Sequence, residues 1–408
     1  MTKIFENITI LELSDSAGEY TGKLFAGMGA HVIKVEPPKG SKSRKVGPFY
    51  QNIPNLNSSL KFFQNNINKD SITLDITKQT GFDIFLQLLQ SIDIVIEDGQ
   101  KIGQENLPIS FKDIQNINKS TILLSLSPLG KTLESENFST NDFINLAYGG
   151  PLWSCGYDDH TIPPMKPYQD ASYHISGHYA FMGAMLALME RTKTNTGQHI
   201  DLSIHEACHN TTEAAMPAYY YNNRKVGRLT GRHAAPAKTI PVVFKTKDAK
   251  WCFIRIPANT NTWNKLIEWL KENEMEKDLG EPEYQELSFR QENAQHITDI
   301  LEEFCGNNDA NYLFHKAQEI DMVWAPVIAP YESLTNEHLE ERKYFTKIYH
   351  PELNETIQYP GRPYLFSKTP FEITTPAPSL GKDNSRIYGN LLGLTKENLT
   401  LLKQAHVV

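Results

Sequence analysis

The sequence predicts an α/β protein with a mostly parallel sheet covered on both faces and a second, smaller α+β domain. Short apolar runs alternate with helical patterns through the first third of the chain, which is typical of parallel strands joined by helices. A chain of 408 residues is also long enough for two or three domains. Further along, two short strand patterns are followed by several helical ones, and these predict the smaller domain.

The elements of the first part follow in order. The predicted elements are a strand at 8–13, a helix at 17–28, strands at 31–36 and 71–76, a helix at 81–91, and strands at 92–97 and 121–127. A loop from 37 to about 60 and an irregular section from 128 to 167 interrupt this pattern. Loops of this length in a compact domain often bind ligands, so we expect a site beyond the strand ends.

A long helix is predicted at 171–190, directly after Asp170. Its apolar side chains recur at alternating steps of four and three residues, which predicts a stripe lying on the core. The stripe consists of Ile175, Tyr179, Met182, Leu186 and Met189. Asp170 is the expected N-cap, where free backbone N–H groups and the helix dipole would stabilise an anion. Most aspartates at such positions only cap a helix, so this pattern alone does not identify a catalytic residue.

Three segments describe the expected domain organisation. Residues 1–222 would form the N-terminal part of the large domain, residues 223–330 a crossover and the small α+β domain, and residues 331–408 a return to the large domain. The later elements are strands at 200–204, 242–244 and 252–256, and helices from about 205 and at 261–271, 293–305, 310–319 and 396–404, with an apolar run at 322–328. The last segment is rich in proline, which suits a chain that wraps around another surface.

The composition excludes several classes of function. Apolar residues make up 40% and charged residues 22% of the chain, and the formal net charge of -8 argues against nucleic acid or an anionic membrane as a partner. No leader pattern opens the chain, and no apolar run approaches the ~18 residues that cross a bilayer. We therefore expect a cytoplasmic protein. The four cysteines form no CxxC pair and are expected to be small buried apolar residues.

Three short patterns suggest other chemistries. The first predicted turn and Glu36 are placed as in dinucleotide-binding proteins, but only Gly18 falls in that turn and no GxGxxG motif occurs. The segment 205–209 matches the HExxH pattern of zinc hydrolases, although the third ligand of that class is missing. His174 and His178 lie four residues apart and could bind metal or act as bases, although such histidines are more often satisfied within a core. We therefore predict no metal site.

Five segments, taken together and in their order along the chain, resemble a known family, although no single segment is diagnostic. They are AGMGAHVIKVEPP at 26–38, NKDSITLD at 68–75, DIVIE at 93–97, RTKTNTGQHID at 191–201 and APSLG at 377–381. Together they resemble the family III CoA-transferases, the group that contains formyl-CoA transferase, carnitine CoA-transferase and the α-methylacyl-CoA racemases. The similarity covers nearly the whole chain.

The resemblance implies both a fold and a reaction. Members of this family look like interlocked, ring-like homodimers, each chain with a large Rossmann-like domain and a small one. The aspartate that matches Asp170 is their nucleophile. It would attack an acyl-CoA thioester to give a mixed anhydride, and the released thiolate would then form an aspartyl-CoA thioester that an acceptor acid consumes. Free backbone N–H groups at the helix start would stabilise the oxyanion and the thiolate. Coenzyme A is thus a substrate, and no permanently bound cofactor is implied.

The resemblance also suggests contacts to coenzyme A at Ser16, Ala17, Lys34, Lys69, Asp98 and Asn141. Lys34 and Lys69 would supply cations for the phosphates, the alternative being ordinary solvated lysines. The segments 98–102 and 127–130 depart from the family pattern, so the coenzyme pocket is expected to be altered.

We therefore expect a CoA-transferase that works through Asp170. One alternative is an acyl-CoA racemase or epimerase of the same family. It is disfavoured because racemases place a histidine just before the aspartate that matches Asp142, where this chain has Asn141, and racemisation needs a second acid/base group. The other alternative is a catalytically silent member that binds acyl-CoA, which the altered loops suggest.

Overall fold

Six parallel strands form the main sheet of the protein in a computed structural model, which describes residues 3–15, 17–98, 109–131, 140–167, 169–212, 215–236 and 240–408. The strands are β1 (Thr9–Leu13), β2 (His31–Glu36), β3 (Asp70–Thr73), β4 (Ile94–Glu97), β5 (Ile122–Ser127) and β6 (His199–Ser203). They lie in the order β3-β2-β1-β4-β5-β6, and every neighbouring pair is parallel. The predicted parallel sheet is confirmed. The strand order reverses between β1 and β4, and ligands of such sheets bind beyond the carboxyl ends at this point.

Seven helices accompany these strands in the part of the chain that the structure describes before residue 212. They are α1 (Ala17–Gly27), α2 (Leu60–Asn65), α3 (Gln79–Leu89), α4 (Phe111–Ile117), α5 (Asp142–Gly149), α6 (Ala171–Thr194) and α7 (Ile204–His209). The sequence missed α5, which lies in the section expected to be irregular, because a helix of eight residues carries little periodicity. Over the described ranges, no helix is long and apolar enough to cross a membrane.

The contacts divide the chain into two units. The first consists of Met1–Pro151, Pro167–Thr211 and Glu337–Val408, and the second of Leu152–Lys166 and Thr212–Asn336. The second unit contains α8 (Ala215–Asn222), β7 (Val243–Lys245), β8 (Trp251–Phe253), α9 (Thr260–Glu272), α10 (Leu287–Glu292), α11 (Ala294–Asn307), α12 (Ala310–Glu319) and β9 (Ala325–Val327). Its three strands form one antiparallel sheet in the order β7-β8-β9. Trp263, Trp269 and Trp324 dominate its core, together with the buried thiols of Cys252 and Cys305.

The last segment of the first unit packs against the main sheet. It contains α13 (Glu337–Glu341), the antiparallel pair β10 (Phe345–His350) and β11 (Glu355–Pro360), α14 (Asn384–Leu392) and α15 (Lys396–Gln404). Ile387 and Tyr388 of α14 lie in the same core as the apolar side chains of β1 to β5. The Tyr388 hydroxyl donates a hydrogen bond of 2.7 Å to the carbonyl of Thr73 at the end of β3. The sequence missed the β10–β11 pair, which lies just before and within the proline-rich stretch.

Helix α6 turns the opposite face to the core from the one that its periodicity predicts. The predicted stripe is largely exposed, and Leu186 and Met189 keep 66% and 64% of their surface accessible. The buried face carries mostly small residues, such as Ser176, Gly177 and Ala180, and packs against α1. The Thr21 hydroxyl of α1 donates to the Gly177 carbonyl at 3.2 Å. Small side chains allow this close approach of two backbones, so the prediction that the larger apolar stripe lies on the core was wrong.

Four charged side chains form a buried ion network between β1, β2, α1 and the residue before β3. Glu12, Glu19, Lys34 and Lys69 have no exposed side-chain surface. The Lys34 ammonium lies 3.3 Å from Glu12 and 2.8 Å from Glu19, and the Lys69 ammonium lies 2.7 Å from Glu12. Burial alone would raise the pKa of Glu19, but Lys34 and Lys69 hold it below its ordinary value. All four charges are therefore compensated inside the fold.

Substituting Gly22 of α1 by alanine should destabilise the protein by about 2 kcal/mol or more, because the added methyl group would clash with Glu12 and disturb the buried ion network. A β-carbon at this position would lie 1.8 Å from Oε2 of Glu12. Lys34 and Lys69 hold the Glu12 carboxylate in place through their ion pairs. Urea unfolding measures the loss. Gly306→Ala is the matched control, since no atom lies within 4 Å of the added carbon. This helical site should be neutral or gain up to about 1 kcal/mol. Equal stabilities of the two variants would contradict the expectation.

Candidate active site

Asp170 lies at the carboxyl edge of the main sheet. Helix α6 leads into β6, so in a parallel sheet its N-terminus lies at the edge where the strands end. Asp170 immediately precedes this helix and has left-handed backbone angles, φ 45° and ψ 23°. Gln169 before it also has a positive φ of 41°. Two consecutive non-glycine residues in this region cost on the order of 1 kcal/mol each, and such strain is concentrated at functional sites.

The Asp170 side chain does not cap its helix. N-cap side chains normally reach the helix from an extended backbone, whereas the backbone of Asp170 is left-handed and its carboxylate makes no capping hydrogen bond. Asp142 of α5 takes over this task, because its Oδ1 accepts hydrogen bonds of 2.8 Å from both the amide and the hydroxyl of Ser172. The predicted helix start and the N-cap position of Asp170 are confirmed, but its side chain does not supply a capping hydrogen bond.

The backbone amides of the first turn are also already used. The amides of Tyr173 and His174 both donate to the Asp170 carbonyl at 3.0 Å, and Asp142 occupies the amide of Ser172. The expectation that these helical N–H groups are free to stabilise a reacting oxyanion therefore does not hold for these three residues. A cation or another donor must stabilise negative charge at this site.

Lys61 of α2 supplies such a cation. Its ammonium lies 2.8 Å from Oδ2 of Asp170, and 17% and 18% of the two side chains are accessible to solvent. The same ammonium lies 5.9 Å from the ring centroid of Tyr173. Helix α2 is anchored by buried Phe62 and Phe63, which fix the backbone that carries Lys61. Sequence reasoning missed Lys61, although a lysine inside the apolar run Leu-Lys-Phe-Phe was a usable signal.

Two histidines and a tyrosine lie on the same side of α6. The Tyr20 ring centroid of α1 lies 4.5 Å from that of His174, and the Tyr20 hydroxyl is 3.1 Å from Nε2 of His178. Burial lowers the pKa of His174, although Asp170 acts in the opposite direction, and burial also lowers the pKa of His178. Burial raises the pKa of Tyr20 to about 12. At neutral pH these three side chains therefore form an uncharged polar surface near Asp170.

Lys23 of α1 lies close to this surface. It is only 6% exposed, and its ammonium lies 5.9 Å from the ring centroid of Tyr20. Burial lowers the pKa of Lys23 to about 7, and the positive charge of Lys69 acts in the same direction. Lys34 differs in this respect, because neighbouring carboxylates such as those of Glu19 and Glu12 raise its pKa.

The structure brings two of the predicted coenzyme contacts together where the strand order reverses. Ala17 opens α1 after β1, and Asp98 follows β4, the neighbouring strand. Oδ2 of Asp98 accepts a hydrogen bond of 2.8 Å from the amide of Asp15, two residues before Ala17. The predicted contact Ser16 lies outside the described residues. Asn141 lies elsewhere, at the start of α5, where its Oδ1 accepts from the amide of Ile144 at 3.0 Å.

Lys34 and Lys69 belong to the buried ion network. The Lys34 ammonium also donates to the carbonyl of Ser14 at 2.6 Å, and that of Lys69 to the carbonyl of Glu19 at 2.8 Å. Their positive charges are thus neutralised inside the fold rather than presented to solvent. A role of either lysine at the phosphates of coenzyme A stays a prediction.

A cavity of about 680 Å³ lies beyond the carboxyl ends of β2 and β3, and sequence reasoning missed it. Its lining residues are Pro37, Pro38, Lys39, Leu74, Asp75, Ile76, Thr77, Lys78 and His406. Lys39 is exposed, whereas the Lys78 ammonium donates to the carbonyls of Ala405 and His406 at 2.7 and 3.1 Å. Its volume lies in the range of small-molecule sites.

The two histidines of the HExxH pattern hold α7 against α5. Nε2 of His205 lies 3.1 Å from the carbonyl of Tyr148, and Nδ1 of His209 lies 3.3 Å from that of Gly149. Within the described ranges, no group of three or more His, Cys, Asp or Glu side chains could hold a metal ion.

Comparison with known proteins places this chain among CoA-transferases. The family model of CoA-transferase family III matches residues 5–384. The chain is 25% identical to the succinyl-CoA:(R)-benzylsuccinate CoA-transferase subunit BbsE of Thauera aromatica, covering 95% of this chain and 94% of that protein. It is 26% identical to the succinyl-CoA:D-citramalate CoA-transferase of Chloroflexus aurantiacus, covering 99% and 98%. It is 24% identical to the formyl-CoA:oxalate CoA-transferase of Streptomyces avermitilis over the full length of both chains.

A solved structure shares the fold. The crystal structure of a CAIB/BAIF family protein from Brucella suis superposes with a TM-score of 0.81. It covers 96% of this chain and 100% of the other, at 22% identity. At this identity the likeness shows the fold alone.

Replacing Lys23 by methionine should stabilise the protein in a pH-dependent way. Lys23 titrates at about 7 in the folded protein and at its ordinary 10.5 when unfolded, so the unfolded chain binds more protons between these values. The free energy of unfolding of K23M should therefore exceed that of wild type by the largest amount below about pH 7. This difference should disappear towards pH 10.5. Urea unfolding of both proteins across this range measures the difference. The exposed Lys112→Met variant should show no such trend, and a constant K23M difference would contradict the expectation.

Proposed function

Because the chain belongs to CoA-transferase family III, we propose that it moves coenzyme A from an acyl-CoA thioester to a free carboxylic acid through an aspartyl-CoA thioester on Asp170. The observation that carries this proposal is the Asp170 carboxylate itself. It stands at the start of the long helix α6, it is released from capping by Asp142, and it is accessible over 18% of its side-chain surface. A carboxylate that serves neither as a cap nor as part of the core is available for chemistry.

The covalent bonds of the proposed reaction form and break only between the Asp170 carboxylate and the substrates. An Asp170 oxygen attacks the thioester carbon, the C–S bond breaks, and the coenzyme leaves as a thiolate beside a mixed anhydride. The thiolate attacks the Asp170 side-chain carbon of the anhydride and expels the first carboxylate, which leaves an aspartyl-CoA thioester. The acceptor carboxylate then attacks this thioester and releases the thiolate. The thiolate finally attacks the acyl carbon of the new anhydride, which frees Asp170 and gives the new acyl-CoA.

The cavity beyond β2 and β3 is our candidate for the nucleotide end of coenzyme A. Its size suits an adenosine group, its wall contains apolar Pro38 and Ile76, and exposed Lys39 supplies a cation for a phosphate. The predicted contacts Ala17 and Asp98 lie at the same edge of the sheet and would contact another part of the coenzyme A molecule. Lys39 therefore takes the role that the sequence suggested for Lys34 and Lys69, since those two lysines are paired with glutamates.

Two alternative functions receive less support. A racemase needs a second acid/base group beside the first. Asn141 and Asp142 stand at the candidate positions for this second group. Asn141 caps α5, however, and the Asp142 carboxylate accepts a hydrogen bond from the amide of Ser172. A silent acyl-CoA-binding protein would have no use for a strained aspartate paired with a lysine.

We also propose that the protein is an interlocked homodimer. The exposed stripe of α6 supports a protein partner, since Tyr179, Met182, Leu186 and Met189 leave a row of large apolar side chains uncovered. Some relatives are named as alpha and beta subunits, so a second, different chain is the competing possibility.

Asp170→Ala should abolish formation of a covalent adduct. Incubation of wild type with a panel of acyl-CoAs that includes succinyl-CoA should add the mass of coenzyme A less one water, because a thioester forms with loss of water. Intact-protein mass spectrometry detects the adduct, and hydroxylamine trapping maps it to Asp170. Asp83→Ala, at an exposed position of α3, is the matched control and should react like wild type. An adduct that persists in D170A would refute the assigned nucleophile.

Light scattering coupled to size exclusion should give a native mass of twice the 46.4 kDa chain. Interlocked chains cannot separate without unfolding, so dilution should leave this mass unchanged. The double variant L186E/M189E should yield monomers or fail to assemble, because charges would be buried in the interface. Leu401→Glu changes an apolar residue of α15 with similar exposure and should keep the dimer. A monomeric wild type would overturn the proposal.

A further inference from the structure

The ion pair between Lys61 and Asp170 has a consequence for each step of the proposed reaction. Both side chains are more than four-fifths buried, and their charged atoms are 2.8 Å apart. Once Asp170 is converted to an anhydride or thioester it is neutral, and the Lys61 ammonium loses its counter-charge. A poorly solvated ammonium next to a neutral ester has a strong preference for a new anion.

The reaction supplies such an anion at every stage. In the resting state the negative charge is on Asp170, and the thioester is neutral. After the first attack the charge is on the coenzyme thiolate and the anhydride is neutral. After the second step the charge is on the departing carboxylate and the aspartyl thioester is neutral. One unit of negative charge thus persists at the site, and only its position changes.

We infer that Lys61 follows this charge, pairing in turn with Asp170, the coenzyme thiolate and the carboxylate of the substrate acid. This inference rests on the proposed function. It assigns to Lys61 the stabilisation of negative charge that the helix amides of Ser172, Tyr173 and His174 do not provide, because those amides are already hydrogen-bonded. Lysine suits the task, since its ammonium has three donors on a flexible stem and can change partners by small rotations.

The other polar groups around Asp170 do not compete for this role. Burial lowers the pKa of His174 and of His178, so both rings are neutral at pH 7. Burial lowers the pKa of Lys23 to about 7, so this side chain is only partly charged at that pH, and its ammonium lies 5.9 Å from the ring centroid of Tyr20. In the part of the chain that the structure describes, Lys61 forms the ion pair with Asp170.

A static ion pair would slow the reaction rather than speed it. Binding the ground-state carboxylate lowers its nucleophilicity, and only interactions that strengthen in the transition state increase the rate. A cation that moves with the charge meets this condition, because it loses Asp170 as it gains the developing oxyanion and thiolate. Removing the ammonium should therefore lower the rate of each half-reaction while leaving acyl-CoA binding nearly unchanged.

The two half-reactions can be measured separately on the intact protein. Succinyl-CoA is mixed with wild type, Lys61→Met, Lys61→Arg and Lys112→Met, and the growth of the coenzyme adduct is followed by rapid-quench mass spectrometry. The adduct is then isolated and its decay is followed after a carboxylic acid is added. We expect Lys61→Met to slow both steps by about 100- to 1000-fold, as for the loss of one donor at a developing oxyanion. Lys61→Arg should recover most of the rate, and Lys112→Met should match wild type.

The outcomes separate this inference from the function on which it rests. Thermal unfolding of each variant shows whether the fold is intact, and the concentration of succinyl-CoA that gives half the maximal rate shows whether binding has changed. Equal half-reaction rates in wild type and Lys61→Met would overturn the inference while the transferase stands. A slow Lys61→Met that Lys61→Arg does not restore would mean that Lys61 only holds the shape of the site, which also overturns it. Absence of an adduct in wild type with every acyl-CoA would remove the proposed function and, with it, this inference.

Discussion

The buried ion network formed by Glu12, Glu19, Lys34 and Lys69 determines where the site can be built. It joins β1, β2 and α1, and each of its charges needs its partner because an uncompensated charge at this depth costs several kcal/mol. Helix α1 is thereby fixed in position, and α6 packs on it through small residues. The location of Asp170 at the start of α6 follows from this packing.

Helix α6 serves three purposes with three different surfaces. Its small residues lie against α1, its larger apolar residues remain exposed, and Asp170, directly before its first turn, carries the carboxylate that we propose as the nucleophile. Asp142 makes this combination possible, because it caps the helix from a neighbouring element and leaves the charge of Asp170 to Lys61. A cap supplied in this way separates the stability of the helix from the chemistry at its end.

Local pattern predicted the parts of the fold that depend on local chemistry. The predicted strand 31–36 coincides with β2, and Asp170 does stand before a long helix. Periodicity showed which residues of α6 share a face, but only the tertiary structure decides which face is covered. In the same way, the local sequence of a strand does not show whether glutamates or solvent surround a lysine side chain, so the burial of Lys34 could not be predicted. The pairing of Lys61 with Asp170 joins residues more than one hundred positions apart, which no spacing rule reaches.

The left-handed pair Gln169 and Asp170 bears on how this protein can change over evolutionary time. Glycine at position 169 would relieve backbone strain on the order of 1 kcal/mol. It would also loosen the direction of the carboxylate, because glycine admits many more backbone conformations. A lineage that keeps a non-glycine residue there therefore keeps the direction of the Asp170 carboxylate at the cost of backbone strain, whereas glycine would relieve that strain and leave the carboxylate less fixed in direction.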